Sequence, residues 1–190
     1  MNIFDIKNEK FYYEHILDSL INKKLIENFK VIHNNAKGLE EFLKSAAIED
    51  EENNENRTYL VKDKETKELV AYFSLRTGLV TIGEEKRFIT LPSIELANFA
   101  INGFYRENHP ESEYIGEVVF NEFVLPIVKY ISDFIAVKVL YIYALPEDRL
   151  MKHYENFGFK RLSIEKEKFV HSHIKPNYDE GCIFMYQFLA

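Results

Sequence analysis

The chain has 190 residues, 46% apolar and 15% aromatic, which suits one domain with a substantial buried core. Lys and Arg number 24 and Asp and Glu 31, a formal charge of −7 that argues against a broad nucleic-acid footprint and mildly favours a cationic substrate such as an amine. The lone Cys182 excludes an internal disulfide. With no secretory pattern in "MNIFDIKNEK" and no apolar run of roughly 20 residues, it makes a cytoplasmic, non-membrane protein the expectation.

Tyr13, Ile16, Leu17, Leu20, Ile21 and Leu25 recur at three- and four-residue spacing and predict an amphipathic helix over 11–29. "NFKVIH" (28–33) reads as a short strand. Leu39, Phe42, Leu43, Ala46 and Ala47 repeat the helical stripe. The acidic run 49–57 reads as a solvated helix end and loop. "TYLVKD" (58–63) and "LVAYFSLR" (69–76), joined by "KETKE", predict an antiparallel hairpin that "LVTI" (79–82) prolongs. "GEEKRF" reads as a loop and 91–101 as a strand with Pro92 at its edge. The Gly, Pro and Asn of 102–114 predict another loop.

From Gly116 a helical stripe of Val119, Phe123, Ile127, Ile131 and Ile135 runs through Pro126, which should kink it or split it. "VKVLYIYAL" (137–145) reads as a strand covered on both faces. Pro146, Glu147 and Asp148 suit the first turn of a helix carrying Leu150, Met151, Tyr154 and Phe157 and stopped by Gly158. "FKRLSIEKEKFV" and "CIFMYQFL" predict two closing strands joined by "HSHIKPNYDEG". No repeat or linker breaks the chain. The order predicts a single α/β domain over 1–190, a mixed central β-sheet flanked by helices.

That order, ending in "YENFGF", resembles the GNAT superfamily of acyl-CoA-dependent N-acyltransferases. Tyr154, Glu155, Gly158 and Phe159 match the family's "YEKxGF"-like helix end. The resemblance covers roughly residues 28–189 and leaves an extra N-terminal helix at about 8–28. It implies the GNAT fold and an acetyl-CoA-dependent N-acetyltransferase. In such a reaction a tyrosine hydroxyl near the sulfur supplies the proton that the departing thiolate needs. The resemblance gives that role to Tyr154; the alternative is a core aromatic whose hydroxyl merely finds a partner.

By the same resemblance, acyl-CoA lies where the neighbouring parallel strands 94–101 and 137–144 part. Asn98, Phe99, Ala100 and Ile101 would pair with the pantetheine arm. The helix start at Tyr114, Ile115, Gly116 and Glu117 would cradle the pyrophosphate on its free amides. Glu113 stands where the family usually has a basic or amide residue, with Glu111 and Glu117 nearby. Arg106, His109 or another cation would then have to reach the phosphates, or the chain is a degenerate GNAT-fold module that binds CoA weakly or not at all. Glu95 is the one carboxylate on strand 91–101 and so the candidate general base. Asn98, three residues on, should face the other way.

His171 and His173 share a side of an extended segment, the beginning of a zinc site without its remaining ligands, and no metal is expected. Cys182 reads as a buried strand residue, and Tyr178 and Asp179 as a turn or acceptor contacts. The chain has no Gly-x-Ser-x-Gly turn and no phosphate-binding loop. The partners implied are acetyl-CoA and an amine-bearing acceptor: a small amine, a protein amine or an aminoacyl-tRNA. The negative charge weighs against the last, and a homodimer is left open.

Overall fold

Seven strands form one mixed sheet in the order β1-β2-β3-β4-β5-β7-β6. The computed structural model describes residues 8–84, 87–173 and 181–189. The strands are β1 (Phe11–His15), β2 (Arg57–Asp63), β3 (Leu69–Glu84), β4 (Arg87–Ile101), β5 (Val139–Ala144), β6 (Lys160–Arg161) and β7 (Ile183–Phe188). Strand pairs β1/β2, β2/β3, β5/β7 and β6/β7 are antiparallel, and β4/β5 is parallel. Two compact units divide the chain. One takes the residues up to Arg76 with Ala97–Ile127, the other Thr77–Leu96 with the residues from Val128 on.

In the first unit the expected N-terminal helix is found only in its later part. Phe11–His15 is a strand, paired residue for residue with Tyr59–Asp63. Phe11 and Tyr13 are buried while Tyr12 between them is half-buried, so the aromatic run follows a period of two. The helical part is only α1 (Ile21–Glu27), and Leu17, Leu20 and Ile21 are exposed rather than aligned on a packed face. Residues 28–33 make no ladder. The Lys30 amide donates to Asn102 Oδ1 (3.3 Å), the Val31 amide to Glu40 Oε2 (3.1 Å), and the Lys30 carbonyl accepts from the Gly103 amide (2.6 Å). Two side chains and one main-chain amide thus satisfy a backbone that a neighbouring strand would otherwise pair.

Helices α2 (Lys37–Ser45) and α3 (Ala47–Glu52) follow. The acidic run is not wholly solvated. Glu51 is buried and accepts from the Thr58 amide (2.7 Å), Arg57 (2.5 Å) and His15 (2.9 Å). Burial pushes its carboxyl up, but the hydrogen bonds from His15 and Thr58 and the nearby positive charge hold it below the usual carboxylate range. Ile26, Phe29, Leu43, Leu60 and Tyr72 lead this unit's core, each worth ~2 kcal/mol of transfer free energy when fully buried.

Residues 102–114 hold a helix rather than a plain loop. Asn102 caps α4 (Gly103–Asn108), accepting from the Phe104 amide (3.2 Å), a signal that the Gly and Pro of the segment obscure. After α5 (Ile115–Val119) comes one π turn, Phe120–Val124, and then α6 (Leu125–Phe134). Pro126 lacks an amide and would clash with the carbonyl four residues back in a continuous helix; the wider turn just before it divides the stretch.

In the second unit Leu91, Val139, Tyr141, Val170 and Phe184 pack together. Pro92 sits in an interior strand, not at an edge. The ladder to β5 begins one residue later, at Ser93, and Pro92 supplies only its carbonyl, to the Lys138 amide (2.9 Å). The expected strand after Gly158 shrinks to β6. Ser163 then stands at the N-cap of α8 (Ile164–Ser172), with Glu165 and Glu167 in the first turn. That acidic start favours a helix over the period-two apolar pattern.

Candidate functional site

The "YENFGF" segment is first of all a helix stop. In α7 (Asp148–Asn156) the Phe159 amide reaches back to the Tyr154 carbonyl (3.1 Å) and the Gly158 amide to that of Glu155 (2.9 Å). Gly158 has φ +89°. The Tyr154 and Phe159 rings meet edge-on, centroids 5.8 Å apart. These are the two hydrogen bonds, the left-handed residue and the apolar contact of a Schellman cap. Three of the four matched residues are therefore accounted for by capping alone. Gly158→Ala should cost about 1–2 kcal/mol in urea unfolding, all of it conformational, because an added Cβ would meet only Gln187 Oε1 at 3.7 Å.

Capping does not explain the phenol's hydroxyl. Tyr154 is 8% exposed and packs among Phe157, Phe159 and His153. Its hydroxyl makes no hydrogen bond among the described residues. Nor is the oxygen one of the sealed unpartnered atoms, such as Asn56 Oδ1 or Gln187 Nε2. Burial pushes its pKa up to about 12.

Glu95 stands on β4 directly opposite Tyr141 on β5, the last pair of the parallel ladder Ser93–Glu95 with Val139–Tyr141. Among the described residues no further β4–β5 pair follows. Ile142, Tyr143 and Ala144 are paired on their other side with β7. The Tyr141 hydroxyl donates to Glu95 Oε2 (2.9 Å). Gly78, on β3, lies against the same phenol: an added Cβ would stand 2.2 Å from its oxygen. Neither Tyr141 nor Gly78 stood out in the sequence. The one available signal is a glycine inside a strand of β-formers, which marks a close approach without saying by what.

In the first unit, Asn98, Phe99 and Ile101 are half-buried on β4 and Ala100 is buried. Arg106 is exposed on α4. Tyr114 takes a left-handed conformation (φ +55°) as the N-cap of α5 and is exposed, as is Glu117; Gly116 is half-buried and the Ile115 side chain is buried. The first-turn amides of α5 have no intrahelical acceptor. His109 does not serve as a spare cation: Nε2 lies 2.7 Å from Glu68 Oε2 and Nδ1 3.4 Å from Glu111 Oε1. The hydrogen bond to Glu68 holds this ring above the ordinary histidine value. A groove of about 480 Å³ beside the α5 start is lined by Glu9, Glu111, Glu113, Glu122 and Lys10.

His171 lies within α8 and His173 caps it, so the two do not share a side as they would in an extended segment. No group of three or more metal-ligating side chains occurs among the described residues. Cys182 is buried. Tyr178 and Asp179 lie outside the described residues. No described helix is long and apolar enough to cross a membrane.

No protein-family model and no curated protein matches the chain. Solved structures do. A tyrosine-to-phenylalanine variant of KacT is 17% identical and covers 95% of each chain, at a TM-score of 0.66. AtaTR bound with AcCoA is 16% identical, covering 95% of this chain and 94% of that one (TM-score 0.62). AtaT complexed with acetyl-methionyl-tRNAfMet is 14% identical, covering 94% of each (TM-score 0.65). The chain has the fold of these proteins, the GNAT fold, with its mixed sheet flanked by helices.

Proposed function

We propose that the chain is an acetyl-CoA-dependent N-acetyltransferase in which Tyr154 is the general acid and Glu95 accepts the amine's proton, directly or through water. The observation that carries this reading is the Tyr154 side chain, 8% exposed and packed among aromatic rings, whose hydroxyl is not sealed off and makes no hydrogen bond among the described residues. A phenol buried for packing usually finds one. The amine nitrogen bonds to the thioester carbonyl carbon and loses its proton toward Glu95. The C–S bond breaks, and the thiolate leaves as CoA thiol with a proton from Tyr154. The fold it shares with a structure holding AcCoA and another holding acetyl-methionyl-tRNAfMet supports acetyl-CoA as donor and an aminoacyl-tRNA as acceptor. At a formal charge of −7, contact would centre on the aminoacyl end of the RNA.

For the donor, the proposal assigns the backbone of Asn98, Phe99, Ala100 and Ile101 to the pantetheine arm. It assigns the start of α5, Tyr114 to Glu117, with Arg106, to the pyrophosphate. The carboxylates there favour a second reading, a fold-only module that has lost the donor. Thermal unfolding with acetyl-CoA separates the two. A ligand at about 100 times its Kd adds about 2.7 kcal/mol, about 5–10 °C for a chain of this size. No rise at millimolar acetyl-CoA would leave the second reading.

A further inference from the structure

We infer that Tyr141 is a positioning residue for the Glu95 carboxylate, and that Gly78 is glycine to let it be one. The inference rests on the transferase reading above and goes one layer behind the group that takes the proton.

The two side chains are direct neighbours on the parallel ladder, 6% and 3% exposed, and joined by a 2.9 Å hydrogen bond from the phenol to Oε2. A buried carboxylate keeps one orientation only where its oxygens are held by donors. The Tyr141 ring has ordinary packing work to do against Phe184 (centroids 5.6 Å apart) and Tyr143 (5.9 Å). A phenylalanine would do that work equally well. The hydroxyl is the addition, and it comes with a constraint on β3. A Cβ on residue 78 would lie 2.2 Å from the phenol oxygen, 2.7 Å from Cε1 and 2.8 Å from Cζ. The glycine is not there for its backbone: among the described glycines only Gly158 and Gly181 have positive φ. Residue 78 gives up a side chain inside a strand, at some cost in strand propensity, and the space is taken by the group that holds Glu95.

Holding Oε2 fixes the plane of the carboxylate relative to β5. A proton acceptor works only within a narrow range of distance and angle from the amine. Tyr141 therefore acts on turnover through Glu95 and not on donor affinity.

A double-mutant cycle on the full chain tests this, reading transfer of labelled acetyl from acetyl-CoA to a mixture of aminoacyl-tRNAs. Tyr141→Phe should lower kcat about tenfold and leave KM for acetyl-CoA within about twofold. In a Glu95→Gln background the same change should alter kcat less than about twofold, because the residue it acts through is gone. Gly78→Ala, which must displace the phenol, should lower kcat like Tyr141→Phe and stands in if that variant fails to fold. Losses that simply add in the double variant, or a Tyr141→Phe protein with wild-type kcat, would overturn the inference. Wild-type protein that transfers no label takes the transferase reading and this inference down together. Transfer by wild type with Tyr141→Phe matching it removes the inference alone.

Discussion

Tyr154→Phe should lower the rate of acetyl transfer by about 10² to 10³-fold while leaving the melting temperature where it was. The substitution removes one oxygen. The ring contacts with His153, Phe157 and Phe159 are made by carbon and persist, as does the Schellman cap, which uses backbone atoms of residues 154 and 155. The hydroxyl makes no hydrogen bond among the described residues, so its loss strands no partner there. A phenol kept for structure behaves oppositely: removing it leaves a buried group unsatisfied, costs about 1–3 kcal/mol of stability, and spares turnover. The pH profile carries a second signature. A pKa raised to about 12 keeps Tyr154 in its acid form well past the ordinary tyrosine value of about 10. The active form of this group is the protonated one, so an upward shift extends activity toward higher pH. Turnover should therefore show no alkaline decline from Tyr154 up to pH 10. An ordinary thiol titrates near 8.5, so full proton transfer from so weak an acid precedes C–S cleavage only at a cost of about 5 kcal/mol. The proton moves as the sulfur acquires charge. Wild-type turnover in Tyr154→Phe, with an acceptor in hand, would remove the acid role.

The parts of the fold legible in the sequence are those whose pattern and context agree. β2, β3 and β5 are runs of β-formers bounded by turn residues, and α7 has both its start and its glycine stop. Where pattern and context disagree, context wins. "FYYEH" fits a helical stripe if only its apolar residues are counted, but an edge position beside β2 turns it into a strand. "LSIEKEKF" alternates like a strand, yet it forms a helix with Ser163 at the N-cap position and two glutamates in the first turn that suit the helix dipole. Asn102 was hidden among Gly and Pro, although asparagine before a helix is a signal in its own right. For the site, residue types were legible and relations were not. The family resemblance singles out Tyr154 and, with it, Glu95 as the one carboxylate on its strand, and both roles stand as proposals. The Tyr141–Glu95 hydrogen bond depends on the β4/β5 register, which nothing local encodes. The Gly78 contact depends on a ring arriving from a strand some sixty residues on.

The largest stability effect expected in the first unit comes from Glu14, and from deleting the acid rather than the base. Lys62 is 2% exposed, and its ammonium is held by Glu14 and by Asn22 Oδ1 (2.5 Å). Asn22 is itself fixed by donating to the Ile16 carbonyl (3.0 Å). Glu14 is 19% exposed and keeps a route to water. Glu14→Ala leaves a buried ammonium with one neutral partner, and removing one member of a buried pair costs about 3 kcal/mol or more. For a chain of this length that is about 10 °C. Lys62→Met takes the charge away from the buried side. The carboxylate turns to solvent, the methionine fills the lysine's channel, and the remaining cost is the Asn22 oxygen left without its donor, about 1 kcal/mol. Urea unfolding of the two variants at matched m-values should therefore rank Glu14→Ala clearly below Lys62→Met. The gap should survive 0.5 M salt, since a pair sealed on one side is poorly screened. The helical pair Lys44–Glu40, partly exposed on α2, is the internal control, with a few tenths of a kcal/mol at low salt and less as salt rises. A reversed ranking would mean that water reaches the ammonium of Lys62 in solution, and that the packing around β1 is looser than its full register with β2 implies.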